Sequence, residues 1–276
     1  MFTLGPLLIT WHGFFSALGL ASGIWLVGVL VYDTDLTADD VTTMAMPAVI
    51  GGIIGARLLF VLENLWLFVD RPLAIFAINE GGISIYGAVI GGSLVGWLYA
   101  RSTRRSVPLL ADRAAIGLML GQGIGRIGDI INGEHHGTDA PDFPLSVTYT
   151  HPGTLGEFGV PVHLAVGYEM VYDLIVAFFL YQLLRRQPRD GITYIAYIFL
   201  YGLGRLAVGF YRKDTIVLSL GSINLGMAQT IGLISLIVAV PWLIWLMRQP
   251  PAEPSEASES QPAADGTRAE RRRRRG

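Results

Sequence analysis

Stretches without a single Asp, Glu, Lys or Arg recur along the chain: Met1 through Tyr32, Gly81 through Ala100, and Thr215 through Met247. A helix that crosses a bilayer needs about 20 mostly apolar residues, so each run is long enough to span. Further apolar stretches lie between them. The pattern predicts an all-α integral membrane protein of seven spans, at roughly 8–31, 43–64, 82–100, 108–130, 164–184, 192–212 and 221–247. The first run lacks a basic start and is too long for a cleaved leader, so it is expected to stay as a helix. Gly51/Gly55, Gly87/Gly91 and Gly117/Gly121/Gly125 repeat every fourth residue, a spacing that lets helix backbones approach closely in lipid.

Charge changes the picture by giving the helices a direction. Alternate loops carry Arg101, Arg104 and Arg105, then Arg185, Arg186 and Arg189, then Arg248 and the tail. The opposite loops are poor in basic residues, with none from 132 to 163. The positive-inside rule therefore predicts an outside N-terminus, a cytoplasmic C-terminus and an outer-face segment at 132–163. Residues 249–276, rich in Pro, Ser, Ala and Glu and carrying the run Arg271–Arg275, read as a disordered cytoplasmic tail.

Composition narrows the chemistry. Of the 276 residues 52% are hydrophobic and 15% charged, against about 25% charged in soluble domains. There is no cysteine, which excludes a disulfide, a protein thiol nucleophile and a thiolate metal site. The sequence predicts no metal, no cofactor and no nucleic-acid partner.

Charges inside spans are costly and mark functional sites. With the orientation above, Arg57, Tyr86, Arg126, Asp129, Glu134, Glu169, Arg205, Arg212 and His12 come from six spans and fall in the outer half of the membrane. Arg57, Arg126 and Arg205 are expected at similar depth in three helices. Buried guanidiniums need anions. Either Glu63, Asp129, Glu134 and Glu169 supply them in a structural network, or the arginines grip a phosphate bidentately. An outer-leaflet phospholipid headgroup would lie at this level. Asp129, three residues after Arg126 on one helix face, is expected to pair with it. Two motifs are set aside. Gly123 to Gly128 fits GxGxxG but has no preceding strand. His135-His136 beside Glu134 lacks the i, i+4 spacing of two ligands on one helix face.

At Gly125–Gly137 the sequence GRIGDIINGEHHG resembles the GRxGNFxNxExxG signature of the prolipoprotein diacylglyceryl transferase family. LGP…ITWHG (Leu4–Gly13), GGIIGARLLFVLEN (Gly51–Asn64), GGISIYGAVIGG (Gly81–Gly92), the Gly204–Arg212 segment and Asn224–Gln229 are similar to further family segments in the same order, so the resemblance spans about residues 4–248. It implies a seven-span transferase domain over 1–248 in the bacterial cytoplasmic membrane. The implied reaction moves the diacylglyceryl group of phosphatidylglycerol onto the lipobox cysteine of a prolipoprotein signal peptide, giving a thioether and glycerol phosphate. It also implies catalytic roles for Arg126, Glu134, Arg205, Tyr86 and His12, and substrate binding by Arg57, Asp129, Asn132, Gly137, Glu169 and Arg212. Four positions depart from the commoner pattern: Asp129 for Asn, His12 for Tyr, Tyr86 for His, and Gly209 for Glu. The base is then one of Glu134, His12 or a tyrosinate at Tyr86. The alternatives are a transporter or flippase for an anionic lipid-like substrate, and an inactive lipid-binding relative.

Overall fold

The structure, a computed structural model, describes residues 2–4, 7–32, 34–77, 81–187, 189–221 and 223–249. The tail from 250 on, with its arginine run, lies outside the described residues. Among the described residues seven α-helices carry the fold: α1 (Trp11–Leu30), α2 (Ala38–Glu63), α3 (Ile85–Ser102), α4 (Val107–Asn132), α5 (Ala165–Leu184), α6 (Ile192–Gly209) and α7 (Met227–Arg248). Six are long and apolar enough to cross a membrane. The exception is α3, whose apolar residues are diluted by Gly87, Gly91, Gly92, Gly96 and Arg101.

Among the described residues three two-stranded antiparallel sheets interrupt the all-helical expectation: β1 (Phe2–Leu4) with β2 (Leu7–Ile9), β3 (Val147–Thr148) with β4 (Pro161–Val162), and β5 (Ile216–Leu220) with β6 (Ile223–Gly226). The last corrects the span expected from 221. Gly221 sits at φ 62°, a left-handed turn that closes the antiparallel β5–β6 pair, and α7 starts only at Met227. Two 3-10 turns, Leu65–Phe68 and Pro72–Phe76, join α2 to α3.

The least apolar helix sits in the middle. α1, α5 and α6 pack around α4, so its polar residues face protein and are spared lipid. At one end Asp112 is fully buried and caps α6 from outside, accepting from the Gly191 and Tyr194 amides at 2.7 and 2.8 Å. Arg113 donates to the Leu30 carbonyl that ends α1, at 3.0 Å. By contrast α2 and α7 expose Ile53, Leu58, Leu62, Ile234, Ile237 and Trp245, the surface expected of helices that face acyl chains.

Glycines set the closest approaches. In α1 and α4, a Cβ on Gly23 would lie 2.6 Å from the Gly117 carbonyl oxygen, and one on Gly121 2.9 Å from that of Gly19. The two helices therefore run antiparallel in backbone contact. Gly51, Gly55, Gly87 and Gly91 join α2 to α3 in the same way. Gly125, which shares the sequence spacing, has nothing closer than 3.9 Å and is not part of the zipper.

Candidate active site

The antiparallel order brings the start of α1, the end of α4, the start of α5 and the end of α6 to one end of the bundle. Their polar residues meet there around Glu169, which is buried in the second turn of α5. Its Oε1 accepts from Arg205 Nη1 at 2.7 Å and from Arg212 Nη1 at 3.0 Å. Arg126 Nη2 lies 2.9 Å from Oε2. A second carboxylate holds each flanking arginine: Arg126 Nη1 donates to Asp129 at 3.0 Å, and Arg212 donates through Nε and Nη2 to Asp214 at 3.1 and 3.0 Å. Arg205 Nε donates to the Tyr201 hydroxyl at 3.1 Å, and the guanidinium also stands over that ring at 5.2 Å. Three guanidiniums thus face three carboxylates. The expected Arg126–Asp129 pair is present.

A second group of side chains continues from Asp129. Its Oδ1 is hydrogen-bonded to His12 Nδ1 on the first turn of α1. Glu134 Oε2 lies 3.5 Å from the same nitrogen, and Glu134 Oε1 accepts from Asn132 Nδ2 at 2.8 Å. His12, Asp129 and Glu134 bring ligand-type atoms within 4.8 Å of one another. Because His12 and Asp129 are bonded directly to each other, a shared proton accounts for that contact.

The loop beyond α4 is tied down over this site. The Leu155 amide donates to the Asn132 carbonyl at 2.9 Å, and Gly137 pairs with Arg212 as an isolated bridge. Lys213 Nζ reaches both Asp139 and Glu157 at 2.8 Å, and those carboxylates raise its pKa above the usual lysine value. His135 and His136 turn to different partners, Arg212 Nη2 at 3.3 Å and the Leu155 carbonyl at 2.5 Å. Burial, with Arg212 and Arg126 nearby, lowers the His135 pKa from the usual histidine value.

Two sequence candidates sit differently from the rest. Tyr86, on the first turn of α3, is within electrostatic reach of Arg205 and Arg212. Arg57, expected beside Arg126 and Arg205, is not brought to them among the described residues. Its guanidinium donates to the carbonyls of Ile75, Gly81 and Gly82 at 2.8, 2.6 and 2.7 Å, and to that of Ala74. It organises the segment between α2 and α3, and Arg212 takes the third place in the cluster.

Sequence reasoning missed Asp173 and Tyr201. Both line a shallow recess with Arg126, Glu169, Tyr172 and Arg205. Asp173 is buried one turn below Glu169, and the signal was available: two acids at i, i+4 on an apolar helix. The Gly209 departure also has a structural account. A Cβ there would collide with Gln229 of α7, whose buried side chain occupies the space a residue at 209 would need.

Fold and site define a multi-helix membrane protein with a prearranged arginine–carboxylate centre at one end of its bundle. A family model, prolipoprotein diacylglyceryl transferase, matches residues 1–245. A phosphatidylglycerol–prolipoprotein diacylglyceryl transferase of Dehalococcoides mccartyi is 34% identical over 249 residues, covering 90% of this chain and 93% of that one. Proteins of the same name from Symbiobacterium thermophilum and Clostridium botulinum are 32% and 33% identical over 252 residues, covering 90% and 87% of this chain and 92% and 93% of theirs. The chain belongs to the prolipoprotein diacylglyceryl transferase family.

Proposed function

We propose that the protein transfers the diacylglyceryl group of phosphatidylglycerol to the lipobox cysteine of a prolipoprotein, forming a thioether and releasing glycerol phosphate. The observation that carries this reading is the Glu169 hub. It holds Arg126, Arg205 and Arg212 in fixed positions before substrate arrives. Each guanidinium has five N–H donors, and the carboxylates do not use them all. Arg126 and Arg205 line one recess beside Glu169, and donors fixed there stabilise charge that develops on a leaving phosphate without reorganising.

In this reading residues 1–248 form a seven-span domain with the N-terminus outside and the C-terminus in the cytoplasm. The site faces the outer leaflet of the cytoplasmic membrane, where phosphatidylglycerol and a membrane-anchored signal peptide meet it. Arg126 and Arg205 hold the leaving phosphate. Arg212 and Glu169 keep them in place, and Asn132, Glu134 and Gly137 shape the mouth under the 132–163 segment. Tyr86 closes the α3 side. Arg57 supports the site indirectly through the α2–α3 connection.

The test uses purified full-length protein, vesicles of phosphatidylglycerol and a lipobox peptide, read by mass spectrometry. The expected product is a peptide carrying one diacylglyceryl thioether, absent when phosphatidylethanolamine replaces phosphatidylglycerol. No thioether with either lipid would reject the transferase reading.

A further inference from the structure

Two of the four positions that depart from the commoner family pattern, 12 and 129, are 117 residues apart in sequence and in direct contact in space. The contact is built by the backbone. A Cβ on Gly128 would lie 2.6 Å from the Trp11 carbonyl oxygen and 2.7 Å from His12 Cα, so only glycine lets the first turn of α1 rest on α4 here. The Thr10 side chain caps that turn, accepting from the Gly13 amide at 3.0 Å. The imidazole is thereby laid against the carboxylate one residue beyond Gly128. Its Nδ1 faces Asp129, with Glu134 behind, while Nε2 has no partner among the described residues. The His12 side chain is 47% exposed and that of Asp129 only 3%. A buried acid on one nitrogen and an open second nitrogen together make an oriented base, because a carboxylate accepting from Nδ1–H fixes the tautomer with its lone pair on Nε2.

We propose that His12 Nε2 takes the proton of the acceptor thiol and that Asp129 is its positioning residue. This rests on the transferase reading. The S–H proton passes to Nε2, and the sulfur attacks the glyceryl carbon that bears the phosphate oxygen. The carbon–oxygen bond breaks, and its electron pair leaves with glycerol phosphate. The imidazolium then returns the proton to the phosphate or to water. Asp129 also holds Arg126, which reaches the Glu169 hub, so one carboxylate connects the base to the phosphate site. As the phosphate gains negative charge, His12 gains a positive one, and the cluster stays balanced. The charged groups facing His12 are Asp129, Glu134 and Arg126, with His135 3.8 Å from Asp129.

The experiment compares wild type and His12→Gln on phosphatidylglycerol vesicles, with a lipobox peptide carrying either cysteine or selenocysteine. A selenol is ionised at neutral pH and needs no base. With the cysteine peptide, His12→Gln should be slower by about 100- to 10,000-fold at neutral pH. Its rate should climb with pH toward the thiol's own ionisation near about 8.5. With the selenocysteine peptide the variant should approach wild type, which loss of packing would not produce. In wild type itself, the acid limb of kcat/KM seen with cysteine should move to lower pH with selenocysteine. Equal slowing of His12→Gln on both peptides, or an unchanged acid limb in wild type, overturns the inference. So does near-normal turnover of the variant on cysteine, and in each of these cases the transferase reading stands. Wild type inert on both peptides overturns both.

Discussion

Glu169 and Arg205 are joined by a 2.7 Å hydrogen bond that ties the second turn of α5 to the last turns of α6. The same carboxylate contacts Arg126 and Arg212, so its charge is shared among three cations from three segments. Glu169→Gln keeps the shape and removes the charge. Breaking a buried pair by removing one partner costs about 3–5 kcal/mol, and here the arginines also lose their alignment. The expected outcome is a lower unfolding temperature in detergent together with loss of thioether formation. Wild-type values for both would mean that the hub is not what fixes the arginines.

Asp129→Asn looks harmless in sequence, since it restores the commoner family residue. The structure predicts the opposite. The amide oxygen must serve either Arg126 or His12, and facing the cation leaves the NH2 group against His12 Nδ1. That selects the tautomer with its proton on Nε2, which is the wrong one for a base. The single variant should lose most activity. Adding Asp129→Asn to His12→Gln should cost little more than His12→Gln alone, because the base that Asp129 orients is already gone. A double-mutant cycle of kcat/KM measures this, and strictly additive effects would show that the two positions do not act as a unit.

Most of the helical frame was legible in the sequence, because long uncharged runs in lipid leave the backbone few choices. The β5–β6 hairpin was not. The run from Thr215 to Met247 is uncharged without a break, the Gly221 turn reverses β5 into β6, and β6 passes directly into α7 at Met227. The sequence indicates which helix ends carry the candidate site but not the rotation of each helix about its axis. Helical depth alone groups Arg57 with Arg126 and Arg205, whereas α2 directs it to the carbonyls of Ala74, Ile75, Gly81 and Gly82. The pairing of His12 with Asp129 left one trace in the sequence, a departure from the family pattern at both positions.

Arg57 divides its donors among four backbone carbonyls, a task lysine's single ammonium cannot reproduce. Leaving a buried polar group unpaired costs about 1–3 kcal/mol. Arg57→Lys should lower the unfolding temperature by several degrees, on a scale of about 2–4 °C per kcal/mol for a chain near this size. At low temperature its KM for phosphatidylglycerol should remain near wild type. A large rise in KM with unchanged stability would return Arg57 to the lipid-binding set.

The absence of native cysteine makes orientation simple to measure. Asp142 and Ser102 are both exposed, at opposite ends of the bundle. A membrane-impermeant maleimide added to intact cells should label Asp142→Cys and spare Ser102→Cys until the membrane is opened. The reverse pattern would place the site on the cytoplasmic leaflet.

The central claim is that Arg126 and Arg205 hold the phosphate as it leaves. Lysine at either position keeps the charge but lacks the planar fork that satisfies Glu169 and phosphate oxygens together. The most direct measurement is single-turnover thioether formation by Arg126→Lys and Arg205→Lys with saturating phosphatidylglycerol and peptide. Losing one preorganised donor to a developing oxyanion costs about 100- to 1,000-fold, and a loss of that size is expected in each variant with the protein still folded. Near-normal rates in both would show that the phosphate is held elsewhere.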